Sequence, residues 1–515
     1  MSKKYFIGID LGTTFSAVSI FDETGSPKIV HNSDGQNITP SCVAKLAGEY
    51  VVGEEARRTW ATDPHAREAA ARFKRDIGTD KLHHIGNKEF TPTALSAMVL
   101  KKLKQDTEAQ LDGDIESAVV TIPANFASQA REATMQAAKE AGLTVENIIN
   151  EPTAAALYYA FKGDIKMHGV YAVYDLGGGT FDISIIRVKG HDIEVLASEG
   201  IRRMGGDDFD RILQKIVLDK YKQQAGEKAD DGDYNFDSAE VDKKSLSARE
   251  NIKTKVLREY IEVSKTEFEN GISDKIQETE ELCEEAIKKA NITLNNIQGV
   301  LLAGGSTRIP LVQKSIERVF QQSPITTANV DEVVSMGAAV YVAYRANKNS
   351  VVQGAAVASG LSDIQKKSVQ GIAISEMTSK CFGVIAMDVE TGRDKNVVLI
   401  GKDTKIPAKT EEPFETVADG QTGVEIVVTE SSYPETDPNS KYVTKIWEGC
   451  LELNPPYGKK GRIINVTFSY DENQMMHCKF LDTESVHKNE VEVSLSMAQS
   501  ATGAVGHNIA KLSVK

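Results

Sequence analysis

Two stretches decide the fold: YFIGIDLGTTFSAVSIFD at residues 5–22 and VYAVYDLGGGTFDISIIRV at residues 170–188. Each reads as an apolar strand, an Asp-Leu-Gly turn and a second alternating strand, a hairpin with its chemistry at the tip. The first tip offers Gly12, Thr13 and Thr14, the second Gly177, Gly178, Gly179 and Thr180. Backbone N–H groups and hydroxyls in such turns reach phosphate oxygens without side-chain obstruction. Asp10 and Asp175 close the two first strands. Two acids facing one anion call for a divalent cation between them, held through oxygen and water. The duplication predicts two related lobes with a nucleotide and its metal clamped between them.

Working outward, 515 residues exceed one core, and a prior of about 150 residues per domain gives roughly three structural units. A formal net charge of −14 argues against a broad nucleic-acid or anionic-membrane surface. Five scattered cysteines without a C-x-x-C indicate neither a disulfide framework nor a zinc site. His83 and His84 read as solvated loop residues. The first core strand begins at Tyr5, and no apolar run approaches the ~20 residues a bilayer needs, so a cytoplasmic protein is expected.

Residues 1–345 alternate strands and helices, with a buried strand at 116–123 ended by Pro123 and a helix at 130–143. SARENIKTKVLREYIEVSKTEFEN at 247–270 carries charge at helical spacing and predicts an exposed helical subdomain. From 380 to 495 the chain is nearly all strand: period-two runs at 424–429, 464–468, 476–480 and 491–495, broken by turn residues, predict an antiparallel sandwich. The polar stretch 346–371 reads as a connector. LLAGGSTRIP at 301–310 is a strand running into Gly304 and Gly305, where backbone can approach a base or ribose, and Arg308 offers a plane for stacking. Lys74 and Arg75 in FKRDIG read alone as a solvated charge pair, and Glu151, before Pro152 at a helix start, as a cap.

Taken in order, IDLGTTFSAV, FKRDIG, TIPANF, INEPTAAAL, YDLGGGTFDISI, GGDDFD and LLAGGSTRIP resemble the seventy-kilodalton heat-shock chaperone family. The resemblance implies an α/β actin-like two-lobe ATPase built on ribonuclease H-like repeats at 1–350. It also implies a connector and interdomain linker at 351–378 and a β-sandwich that holds extended apolar peptide at 379–495; the family's helical lid is not expected, because the short tail at 496–515 is rich in Gly and Ser, a departure from the pattern. It assigns Thr13, Thr14, Gly178, Gly179 and Thr180 to the phosphates, Asp10 and Asp175 to Mg²⁺ through water, and Asp182 to a monovalent cation such as K⁺. Lys74 would place the attacking water, with Glu151 and Asp175 polarising it. Gly304, Gly305, Ser306, Arg308 and Asp331 would line the nucleoside side, with Glu250 and Lys253 closing from the opposite lobe. Pro123, Arg131, Ile372 and Ile374 would couple the halves, and Val384, Phe414, Val424 and Ile426 would line the peptide pocket.

The implied activity is ATP hydrolysis controlling the grip on unfolded or nascent polypeptides, by a monomer that works with a J-domain co-chaperone and a nucleotide-exchange factor. Against the family pattern, Leu257 stands where a small hydroxyl usually meets the ribose, which implies weakened nucleotide affinity, and Asn147 stands where a basic residue often contacts the J-domain. The linker Ile372-Ala373-Ile374-Ser375-Glu376 keeps the apolar alternation and terminal acid with less apolar bulk. A sugar or acetate kinase or a filament-forming actin relative would share the phosphate loops but leave the sandwich unexplained. An ATP-gated interaction protein of the same superfamily without general chaperone activity is the alternative.

Overall fold

The computed structural model describes residues 3–62, 68–163, 167–326, 328–352, 360–453, 458–472, 474–484 and 489–494. The chain divides into two compact units, the second beginning at Ser375 and taking in the segment Phe126–Glu132.

The duplicated hairpins become the centres of two sheets in the first unit. Strand Lys3–Asp10 pairs antiparallel with Phe15–Phe21 and parallel with Gly113–Ile122, in a sheet completed by Pro27–Val30, Val145–Asn150 and the short Thr39–Pro40 beside Phe15–Phe21. Strand His168–Leu176 repeats this: antiparallel to Phe181–Lys189, parallel to Ile297–Ala303, with Asp192–Ile201 beyond. Both central strands are near-continuous apolar runs because both faces are covered. Helix Val333–Val352 crosses strand Lys3–Asp10 at Gly8, where an added Cβ would lie 2.1 Å from Ala339 N. The same helix meets helix Glu151–Lys162 at Gly337, where a Cβ would lie 1.7 Å from the Ala154 carbonyl oxygen. These two approaches fix the start of the second helix, and hence Glu151, relative to the first hairpin.

The stretch 247–270 departs from the expected helix. It is a hairpin, Asn251–Val256 paired with Glu259–Ser264, followed by helix Lys265–Lys289. Ile252, Val256, Ile261 and Val263 are buried on one face while the charges occupy the other, so period two was present under a charge pattern that imitates a helix surface. Ser264 caps the helix that follows, its side chain accepting from the Glu267 N–H while Glu267 reaches back to the Ser264 N–H. The supposed connector 346–371 is also partly structured: one helix runs to Val352, and Asp363–Ser368 forms another whose Gln365 donates to the Phe21 and Asp22 carbonyls. His83 sits half-buried on a short strand against Asp76 at 3.3 Å, where burial lowers its pKa, rather than in a solvated loop.

The second unit stacks two four-stranded antiparallel sheets. One runs Asp394–Ile400, Cys381–Met387, Gly423–Ser431, Val443–Glu452; the other runs Ala408–Glu415, Ile463–Tyr470, Met476–Asp482, Asn489–Ser494. Phe382, Val428, Leu451, Phe468 and Phe480 fill the space between them, each worth about 1.5–3 kcal/mol of burial for the larger side chains. Arg462 and Asp482 form a buried bidentate pair at one end, which is tolerated because both charges are matched. The tail 496–515 lies outside the described residues.

Candidate functional site: a cleft between two phosphate loops

Strand pairing carries each Asp to the foot of its turn, Asp10 opposite Ala17 and Asp175 opposite Asp182. The two turns face each other closely: a Cβ on Gly178 would lie 2.0 Å from Thr14 Oγ1, and one on Gly179 2.5 Å from Thr13 Cγ2. Only glycine permits this approach. The cleft they bound, about 650 Å³ and open to solvent, is lined by Asp10, Gly12, Thr13, Thr14, Lys74, Glu151, Asp175, Gly177, Gly178, Gly179, Thr180, Gly304, Gly305 and Asp331. Apolar walls come from Phe15, Ile38, Val330 and Val334, which the sequence reading missed because they lie far apart along the chain.

Lys74 is buried, and its Nζ donates to Glu151 Oε1 at 2.6 Å. Arg75 is likewise no free cation: its Nη2 donates to the Gly178 carbonyl at 3.0 Å and to Asp208 at 2.7 Å. Lys74 therefore lines the cleft and Arg75 braces the second turn from behind it, rather than forming the solvated pair expected from their local sequence. Burial, then the nearby Glu151 carboxylate, raises the Asp10 pKa to about 7 and pushes that of Asp175 well up. Asp182 is buried, raised for the same reasons, and its Oδ1 has no hydrogen-bond partner. Asp10, Glu151 and Asp175 thus lie near enough to repel one another and to feel the Lys74 ammonium, and a bound cation would relieve the cost of ionising them. Among the described residues no three ligand-type side chains form a direct metal cage. The pair Asp10 and Asp175 instead fits a hydrated Mg²⁺, which keeps most of its waters.

At the turn expected to line the nucleoside side, Gly304 takes φ 80 and Ser306 Oγ donates to the Gly177 carbonyl at 2.9 Å, tying this turn to the second glycine-rich turn. Arg308 is held by Asp331 at 2.7 Å, with its guanidinium half-exposed. Glu250, Lys253 and Leu257 do not join them. All three are exposed on the 251–264 hairpin or just before it, Glu250 pairing with Lys265, Lys253 with Glu262, and Leu257 occupying the turn at φ 51. Their expected roles required a helix that does not exist there. Helix Phe236–Ala248 presents Glu240 and Lys243 at the same spacing instead, with Lys243 Nζ 3.0 Å from the Gly206 carbonyl and 2.7 Å from Asp210. The sequence signal was an acid and a lysine three residues apart on a helical pattern, ten residues upstream of the pair chosen. Asn147 is buried on strand Val145–Asn150 rather than displayed at the surface.

Of the expected coupling residues, Pro123 is buried just after strand Gly113–Ile122. Ile372 is buried in the core of the first unit and Ile374 packs against it, as Ala373–Ser375 joins the second sheet beside Asp192–Ile201. Within the second unit, Arg131 is buried and hydrogen-bonds the Phe126 carbonyl, Ser379 Oγ and Gln474 Oε1. Val384 and Ile426 lie in the sandwich core, whereas Phe414 and Val424 are half-buried at its margin.

A profile described as Hsp70 protein matches residues 6–85 and 81–506. The chain belongs to the Hsp70 family. Among its relatives, the chaperone protein DnaK of Thermotoga neapolitana is 35% identical over 512 residues, covering 96% of this chain and 80% of the relative. DnaK of Thermotoga maritima gives the same figures, and DnaK of Metamycoplasma hominis is 32% identical over 536 residues, 97% and 83% of the two chains. The two sheets with their facing hairpins are accordingly the lobes of an actin-like ATPase, followed by the Hsp70 β-sandwich. As a member of this family the chain is an ATP-dependent chaperone that uses nucleotide and Mg²⁺. The alternative of an interaction protein without chaperone activity is not favoured. Among the described residues no helix is long and apolar enough to cross a membrane.

Proposed function

We propose that this Hsp70 hydrolyses ATP in the cleft around Lys74 and uses the result to control the hold of its sandwich on extended apolar segments. The observation that carries the reading is the buried Lys74–Glu151 pair at 2.6 Å between the apposed turns. Thr13, Thr14, Gly178, Gly179 and Thr180 hold the β- and γ-phosphates through hydroxyls and backbone N–H groups. Lys74 donates to the attacking water and offsets charge as the γ-phosphoryl leaves, while Glu151 and Asp175 polarise that water. Asp10 and Asp175 would hold Mg²⁺ through water, where it would supply charge neutralisation for the phosphates. The unpartnered Asp182 Oδ1 fits a monovalent cation such as K⁺. Gly304, Gly305, Ser306, Arg308 and Asp331 form the nucleoside side.

Domain limits follow as 1–350 for the ATPase, 351–378 for connector and linker, and 379–495 for the sandwich, with Phe414 and Val424 closest to a peptide-binding margin. The protein acts as a cytoplasmic monomer with a J-domain partner and an exchange factor, and the buried Asn147 lies outside any contact surface for the former. The test is single-turnover hydrolysis by Lys74→Ala, which should fall about a hundredfold or more while ATP binding survives. Wild-type hydrolysis, or a loss explained wholly by binding, would overturn the assignment.

A further inference from the structure

Lys74 sits in the middle of a four-residue 3₁₀ turn, Phe73–Asp76, and the residue that leads into that turn, Arg72, adopts φ 60. A left-handed, non-glycine conformation at such a place is kept only if the surroundings hold it. Two sets of contacts do so. The Arg72 guanidinium lies 4.2 Å from the Trp60 ring and 5.2 Å from that of Phe236, and these rings stack at 5.7 Å with planes 12° apart. Trp60 is on helix Glu54–Thr62 and Phe236 opens helix Phe236–Ala248, elements 174 residues or more apart in sequence, so the stack joins separate walls of the ATPase unit. On its other side Arg72 Nε is paired with Asp207 at 2.7 Å, with both side chains largely buried.

Asp207 is where this cation meets the phosphate loops. Its backbone N–H donates to the Gly178 carbonyl at 2.9 Å, and its Oδ1 accepts from Thr14 Oγ1 at 3.4 Å. Burial opposes ionisation of Asp207, yet Arg72 and then Arg75 win and hold its carboxyl below the usual range. One ion pair therefore touches the first loop, the second loop and the turn that carries Lys74.

We propose that Arg72 is a positioning residue for ATP hydrolysis, seated by the Trp60–Phe236 stack, which sets the Lys74 turn in register with both phosphate loops through Asp207. Arg72 does not line the nucleotide cleft, so it acts on the geometry of the groups that do. A lysine would keep the charge but lose the planar stacking face.

The inference rests on the reading of Lys74 as the group acting on the attacking water, and the experiment separates the two. Single-turnover hydrolysis and equilibrium ATP binding are measured for wild type, Lys74→Ala, Arg72→Ala, Arg72→Lys, Trp60→Ala and Trp60→Phe, with thermal melts of each. Arg72→Ala and Trp60→Ala should lose roughly tenfold to a hundredfold in rate, the scale of displacing a catalytic group by about 1 Å, with ATP affinity changed less than about threefold. Trp60→Phe, which retains an aromatic face, should recover most of the rate, and Arg72→Lys should not. If Lys74→Ala is slow but Arg72→Ala hydrolyses as wild type, the positioning role is wrong and the site reading stands. If Lys74→Ala is as fast as wild type, the site reading fails and the inference with it. A purely structural role would show as equal losses in melting temperature and binding, with Trp60→Phe no better than Trp60→Ala.

Discussion

Gly179→Ala isolates the fit between the phosphate loops. The backbone at Gly179 lies outside the left-handed region, so alanine is tolerated by the chain itself, and the whole effect comes from where its Cβ goes. That atom would stand 2.5 Å from Thr13 Cγ2 and Oγ1 and 2.8 Å from Thr13 Cβ. Ordinary contact begins at 3.4 Å, so the loops must separate by roughly 1 Å. Thr13 cannot step aside: it is buried, and its loop is pinned by the Gly12 N–H on Ser16 Oγ and by Ser41 Oγ on the Gly12 carbonyl. Overpacking of this kind costs about 1–3 kcal/mol of stability, and a 1 Å misplacement of reacting groups costs about a hundredfold in rate. Quenched-flow single turnover with labelled ATP reads the second and a nucleotide-free melt the first. In a Thr13→Ala background two of the three close atoms are gone, so Gly179→Ala should cost about 1 kcal/mol less there. A wild-type rate for Gly179→Ala, or the same loss in both backgrounds, would refute the reasoning.

Replacing Ile372 and Ile374 by Asp places carboxylates into the apolar core of the first unit, so the linker should leave the sheet edge, and protease cleavage near 372–376 should become equally fast with ATP and with ADP. Burial outweighs the Lys243 cation at Asp210 and raises its pKa from 3.8 to about 6. The folded state therefore binds this proton more tightly than the unfolded one, and the group's contribution to stability falls as pH rises from about 4 to about 6. Asp210→Asn should remove that part of the slope of melting temperature against pH, and an unchanged slope would count against the pKa.

What the sequence made legible was whatever is encoded locally. The paired Asp-Leu-Gly turns carry their own strand pattern and their own glycines, so both hairpins and the acids at their feet could be read before any contact was known. Lys74 and Arg75 could not be read that way from local pattern alone, because their partners Glu151, Gly178 and Asp208 lie 77, 103 and 133 residues away. Only the ordered motifs, taken as a resemblance, pointed to the lysine. The hairpin at 251–264 was misread because charged residues on its exposed face mask the buried alternation of Ile252, Val256, Ile261 and Val263, and that error displaced Glu250, Lys253 and Leu257 from where they were expected. The Arg72 contacts had no sequence signal at all, since Trp60, Asp207 and Phe236 meet only in the folded unit.

The most direct test of the whole account is stopped-flow release of a fluorescent extended apolar peptide from the full chain, with ADP and with ATP. Nucleotide control of the peptide grip predicts release faster in ATP by about tenfold or more, within the usual range of coupling between two sites, and loss of that difference on replacing both Ile372 and Ile374 by Asp. Equal release rates in the two nucleotides for the wild-type protein, or no binding of any apolar peptide, would contradict it.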